Sequence, residues 1–198
     1  YSHIWEEHSN YFTMQTLRRF YHDAGLRVAH METATFSGEI IIAFGVKDIE
    51  SDEKKSVTFD DLQHQRVRTY KTKYPSFRKA FKNYLENHRT SGGRVAAYGA
   101  GCRSGALVNF MGLAPWVECF FDDQVEKQGK FMPGARLPIF PGSELAASDI
   151  DLCLLAVNAE NEEKVISKHS DFLERGGKFI SVHPPSKLLP QFWTEYFK

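Results

Sequence analysis

The segment Arg94-Val-Ala-Ala-Tyr-Gly-Ala-Gly-Cys-Arg-Ser-Gly-Ala106 constrains this fold more than any other stretch of the chain. Val95 to Tyr98 is a short apolar run of the kind that a strand covered on both faces needs. Gly99 and Gly101 then let the backbone turn tightly and approach a ligand closely. A helix opening after them aims its free N–H groups at that ligand, an arrangement that favours anions such as phosphate.

The same alternation continues downstream. Ser91-Gly92-Gly93 is a flexible lead-in. Strand Arg94–Tyr98 precedes a helix over about Ser104–Met111, then strand Val117–Phe121 and a short strand near Leu137–Phe140. A helix is expected to start near Gly142. Strand Leu152–Val157 leads into a helix over about Glu162–Arg175, closed by Gly176-Gly177, and Lys178–His183 is the last strand. Repeated strand and helix with buried apolar strands predicts a parallel sheet with right-handed crossovers, a Rossmann-like α/β architecture over residues 94–198. Its ligand belongs at the carboxyl ends of the strands.

The earlier part of the chain has a different texture. Thr13 is placed to cap a helix carrying Met14, Leu17, Phe20, Tyr21 and Ala24, with Gly25 just past its end. Two strand-like runs follow, near Leu26–Met31 and Glu39–Val46, with Ser37-Gly38 as the turn between them. A helix and a hairpin bury too little to stand alone, so residues 1–47 are expected to be the edge of a larger domain. Residues 48–93 form a charged connector. Thr58 and Asp61 resemble a capping box. A first helix is expected to end before Pro75, and a second to run from about Ser76 to His88 with Phe77, Ala80, Phe81, Tyr84 and Leu85 on one face.

Composition excludes several classes. Lys and Arg total 25 and so do Asp and Glu, so the formal charge is zero and a general polyanion or nucleic-acid binder is not indicated. No apolar run reaches the ~20 residues that span a bilayer, and no secretory signal pattern appears, so a cytoplasmic location without membrane contact is expected. The three cysteines, Cys102, Cys119 and Cys153, lack CxxC spacing and are expected to be free thiols in a reducing compartment. Histidine spacing offers no metal site. The chain opens on Tyr1, and a fragment of a longer polypeptide is expected.

Two constellations carry chemistry. The glycines at 99, 101 and 105 space as GxGxxxG, with Ser104 in the usual third-glycine place. Asp122 ends the next strand near the position of a ribose-gripping carboxylate. The spacing leaves two possibilities open, a dinucleotide site and a glycine turn that binds no nucleotide. In Trp5-Glu6-Glu7-His8, Glu7 and His8 are either a base with its orienting carboxylate or an ordinary helix approach. Arg103 and Lys127 fall in loops at the carboxyl edge of the sheet, where each can meet phosphate or solvent.

Tyr98-Gly99-Ala100, Leu107, Asn109, Gly112, Asp122, Lys127-Gln128-Gly129, Pro133-Gly134, Pro138-Ile139 and Asn158 together resemble the C-terminal domain of the sugar C-methyltransferases. Those enzymes move a methyl group from S-adenosylmethionine to a deoxyketosugar nucleotide. Ile4 to Leu17 resembles the family's segment at the end of its methyltransferase domain. The resemblance implies that residues 1–47 close a class I methyltransferase domain, that 48–93 form a helical connector, and that 94–198 form a Rossmann-like domain enclosing the nucleotide sugar. It also implies that the main S-adenosylmethionine site and a zinc domain lie outside this chain.

On that resemblance His8 is the candidate general base and Glu7 its orienting partner. Gly99, Gly101, Arg103, Ser104, Asn109, Asp122, Lys127 and Asn158 are the candidate substrate contacts, with backbone N–H groups at Gly99–Gly101 meeting phosphate or sugar. The chain departs from the family where Trp5 replaces a Tyr and Glu6 a His. It departs again where Thr35-Phe36-Ser37-Gly38-Glu39 replaces a His-Gly-Gly-Ser run, which leaves the acceptor and the methylated atom open. A nicotinamide-binding oxidoreductase domain and a noncatalytic nucleotide-sugar module remain as alternatives. A homodimer through exposed strand edges is a further expectation.

Overall fold

A computed structural model describes residues 10–35, 39–47 and 61–196. The chain divides into two compact units, one of His8–Thr72 and one made mainly of Lys73–Lys198.

In the smaller unit, α1 (Met14–Asp23) starts at Thr13 in a reciprocal capping box. The Thr13 side chain accepts from the Thr16 N–H at 3.2 Å, and the Thr16 hydroxyl accepts from the Thr13 N–H at 2.7 Å. Strands β1 (Leu26–Thr35) and β2 (Glu39–Lys47) form an antiparallel hairpin, with a register irregularity between Val28 and His30. Tyr21 lies against it, its hydroxyl donating to the Ala43 carbonyl at 3.2 Å. Gly45 makes that approach possible, because a Cβ there would stand 2.3 Å from the Tyr21 ring.

The larger unit is a five-stranded parallel sheet in the order β5-β4-β3-β6-β7, built from β3 (Val95–Tyr98), β4 (Phe120–Asp122), β5 (Ile139–Pro141), β6 (Leu152–Leu155) and β7 (Lys178–Ser181). The strand order reverses between β3 and β6, as in a Rossmann-like α/β fold. Both faces are covered. Val95, Ala97, Phe120, Leu152 and Leu154 meet one layer, while Ala96, Tyr98, Phe121, Cys153 and Leu155 meet the other. The first layer holds the part of α2 (Asp61–Thr90) from Tyr74 onward, α3 (Cys102–Met111) and α6 (Gln191–Tyr196). The second holds α4 (Ala159–Lys168) and α5 (Ser170–Glu174).

Three local expectations change. Pro75 does not separate two helices, because α2 runs through it. An interior proline costs about 3 kcal/mol. Phe77, Phe81 and Leu85, within the three turns beyond it, are fully buried, the two phenylalanines against Phe192 and Trp193, and each such side chain returns about 2 kcal/mol. The helix expected over Glu162–Arg175 is broken at His169, whose backbone leaves the helical region (φ −117°, ψ 43°) as its ring turns inward to Tyr98. Gly142–Glu144 forms only a single 3₁₀ turn. Helix α6 has no forecast in the strand-and-helix pattern and supplies Trp193 to the core. No described helix is long and apolar enough to cross a membrane.

The Thr58–Asp61 box, the Ser37-Gly38 turn and the Trp5-Glu6-Glu7-His8 run fall wholly or partly outside the described residues.

Candidate functional site

The site lies where the strand order reverses. Gly99 leaves β3 with φ +99°, and a Cβ there would meet the Val157 side chain at 2.7 Å, so the position needs glycine. The turn is tied down from within. The Gly99 N–H donates to the Phe121 carbonyl at 2.8 Å, the Ala100 N–H to Asp122 Oδ2 at 2.6 Å, and the Gly101 N–H to Ser104 Oγ at 2.9 Å. Ser104 is fully buried, and its hydroxyl also lies within bonding distance of the Gly99 and Gly101 carbonyls (2.6 and 2.7 Å). The donors expected to meet substrate at Gly99–Gly101 are therefore engaged inside the protein.

Asp122 is buried and held by several hydrogen bonds. Besides Ala100, it accepts from the Gln124 N–H at 2.8 Å and from Lys127 Nζ at 3.2 Å, while Gln128 Nε2 donates to its carbonyl at 3.0 Å. Gly129 turns at φ +74° and donates to Ile139 at 2.9 Å. The Lys127-Gln128-Gly129 run thus fastens the end of β4 to its surroundings. Asn109 plays the same part for the neighbouring loop. Its Nδ2 donates to the Pro133 carbonyl at 3.0 Å, and a Cβ on Gly134 would stand 2.5 Å from the Asn109 amide. Asn109 and Gly101 line a separate, mostly apolar cavity of about 620 Å³ between α3 and the Met132–Gly134 loop.

A cleft of about 350 Å³ opens between the ends of β3, β4 and β6 and the flank of α4. Gly99, Gly101, Asp122, Lys127 and Asn158 line it. Arg103 and Ser104 are not part of the lining; Arg103 donates from Nη1 to the lining residue Asn158 at Oδ1, 2.6 Å away, and burial lowers the pKa of its guanidinium.

A chain of polar groups that sequence reasoning missed forms the floor. Tyr98 donates its hydroxyl to Asp123 Oδ1 at 2.8 Å, and His169 Nε2 lies 2.9 Å from the same hydroxyl. Lys168 pairs with Asp123. Burial raises the Tyr98 phenol well above its ordinary range, and Asp123 adds to the effect. Burial alone would raise Asp123, but hydrogen bonds from Lys168 and Tyr98 outweigh it and hold the carboxyl below the usual value. Burial and the Lys168 charge push His169 down, which keeps its imidazole neutral. The available sequence signals were the tandem Asp122-Asp123 at a strand end and the three-to-four-residue spacing of Asn158, Asn161, Lys164 and Lys168.

A family model described as the C-methyltransferase C-terminal domain matches residues 36–184. The chain belongs to this family. It is 30% identical over 197 residues to C-methyltransferase NovU of Streptomyces niveus, covering 94% of this chain and 46% of that protein. The chain therefore spans about half the length of this curated relative. Among solved structures, the Rex-family repressor RSP aligns with a TM-score of 0.38 at 18% identity over 50% of this chain and 49% of its own. RSP in complex with β-NADH aligns with a TM-score of 0.37 at 17% identity, over 55% and 56%.

A cofactor ribose would compete with the glycine turn for the Asp122 carboxylate. The carboxylate that would grip a diol is Asp122, and three of its acceptor sites are already taken by Ala100, Gln124 and Lys127. This holds equally for a nicotinamide dinucleotide and for the ribose of S-adenosylmethionine.

Proposed function

We propose that this chain is the substrate-side, C-terminal part of an S-adenosylmethionine-dependent C-methyltransferase acting on a nucleotide-linked sugar, with the methyl-donor site elsewhere in the protein. The observation that carries this reading is the engagement of Asp122 with Ala100, Gln124 and Lys127. It makes Asp122 a strut of the glycine turn at the edge of a polar cleft suited to substrate. Membership of the C-methyltransferase C-terminal domain family supports the transfer chemistry.

In this reading His8 removes the proton beside a ketone and Glu7 orients it. The test is transfer of labelled methyl from S-adenosylmethionine to nucleotide-linked ketosugars by the intact protein. Transfer is expected, and His8→Ala should lower turnover by about 10²-fold or more. Unchanged turnover in His8→Ala removes that residue from the mechanism. Calorimetric binding of NAD by the intact protein, without any methyl transfer, would overturn the whole reading in favour of an oxidoreductase.

A further inference from the structure

One wall of the cleft lies outside the glycine turn and outside the Lys127-Gln128-Gly129 and Pro133-Gly134 runs: the flank of α4. Asn161, Lys164 and Lys168 line the cleft at intervals of three and four residues that keep them on one helical face, and Asn158, the N-cap, lines it beside them. Glu162, Val165 and His169 are buried, which fixes the rotation of this segment.

The charges lining the cleft are not equivalent. Lys127 is paired with Asp122, and Lys168 with Asp123. Among the described residues Lys164 has no such carboxylate partner, and it is exposed at the cleft. With two carboxylates each balanced by a lysine, the Lys164 ammonium is the uncompensated charge of the lining. The N–H groups of Gly99, Ala100 and Gly101, which receive phosphate in many folds of this kind, already donate within the protein. Three lysine side chains bring positive charge to this cleft, and α4 carries two of them, Lys164 and Lys168.

We infer that the cleft-facing stripe of α4 seats the diphosphate of the ligand and that Lys164 makes the principal charge contact. The inference rests on the reading of a nucleotide-linked substrate and adds to it the part of the molecule that holds the phosphates. Lys164 supplies a point charge on a flexible stem, with the Asn161 amide about one turn before it and Asn158 at the N-cap of the helix. The anion sits across the cleft from the glycine turn rather than upon it.

The experiment is calorimetric titration of the intact protein with inorganic pyrophosphate, with orthophosphate in parallel. Pyrophosphate should bind more tightly than orthophosphate. Lys164→Met should weaken pyrophosphate by about tenfold or more, the size of one lost charge-assisted hydrogen bond. Lys164→Arg should retain most of the affinity. Lys79→Met, on the exposed side of α2, should change nothing. Absence of pyrophosphate binding, or equal weakening by Lys164→Met and Lys79→Met, overturns the proposal. Normal pyrophosphate binding with no methyl transfer to any nucleotide-linked sugar would sink the substrate reading and leave the anion seat standing.

Discussion

The two ends of the parallel sheet treat charge in opposite ways. At the amino ends of the strands, Arg94 donates from Nε and Nη2 to Glu118 at 2.9 and 2.6 Å, and from Nη1 to Asp149 at 2.8 Å. Asp151 accepts from the Arg94 N–H at 2.9 Å and pairs with His88 at 2.7 Å. Gly93 admits the imidazole, since a Cβ there would stand 2.3 Å from it. These groups close on one another and fasten the end of α2 to the starts of β3 and β6.

At the carboxyl ends, Asp122 and Asp123 are paired as well, yet the lining beyond them keeps Lys164 and Asn161 facing a cleft. The difference follows from topology. Crossovers leave the carboxyl ends in diverging directions where the strand order reverses, so polar groups there cannot all reach one another. The ion pairs of Arg94 fasten strands together while lining a cavity of about 380 Å³, whereas those of Asp122 and Asp123 line the cleft proposed to hold the ligand.

The comparison breaks first at Asp122. Asp122→Ala strips acceptors from the Ala100 and Gln124 N–H groups and a partner from Lys127, at a buried position. Losing one partner of a buried charged network costs about 3 kcal/mol or more. Urea unfolding should show that loss, together with weakened anion binding. A loss below about 1 kcal/mol would mean that the glycine turn holds its shape without its carboxylate.

Gly142→Ala comes next. Its new Cβ would stand 2.4 Å from Asp123 Oδ1 and 2.5 Å from the Tyr98 hydroxyl, so the floor of the cleft must shift. Overpacking of this kind costs about 1–3 kcal/mol. Thermal unfolding should register it. Adding Tyr98→Phe should recover part of the loss by removing one of the two atoms in the way, and no recovery would place the strain elsewhere.

What was legible in the sequence had short range or strong periodicity. The Thr13 cap, the apolar strands and the glycine turn are local patterns, and the structure places them within a few residues of where they were expected. The continuity of α2 was not legible, because the rule at Pro75 is local and the packing of Phe77 against Trp193 that overrides it joins residues 116 positions apart. The break at His169 was hidden for the same reason, since its partner Tyr98 lies 71 residues away. In the site, spacing located Asp122 correctly at the end of β4. It could not reveal that the carboxylate fastens the turn while lining the cleft, because an aspartate that grips a ligand and one that fastens a turn occupy the same sequence position.

The smallest effect belongs to the amino edge, and its pH dependence separates fastening from function. Burial works upward on Asp151, but hydrogen bonds from His88 and the Arg94 N–H outweigh it and hold the carboxyl below the ordinary value. A carboxyl lowered in the folded state stabilises the protein above its unfolded pKa of about 3.9, and that contribution disappears as pH falls through the lower folded value. The Asp151 side chain is 45% exposed, so Asp151→Asn should cost only about 1 kcal/mol or less at neutral pH. The gap between Asp151→Asn and the unaltered protein should stay constant down to about pH 5 and narrow below about pH 4. Pyrophosphate affinity should be the same in both, because this pair lies at the opposite edge from the cleft. Unfolding midpoints measured from pH 3 to 7 check the first statement and calorimetry checks the second. A variant that loses anion affinity while keeping its stability would show that the two edges are coupled, and the division between a fastening edge and a binding edge would fail.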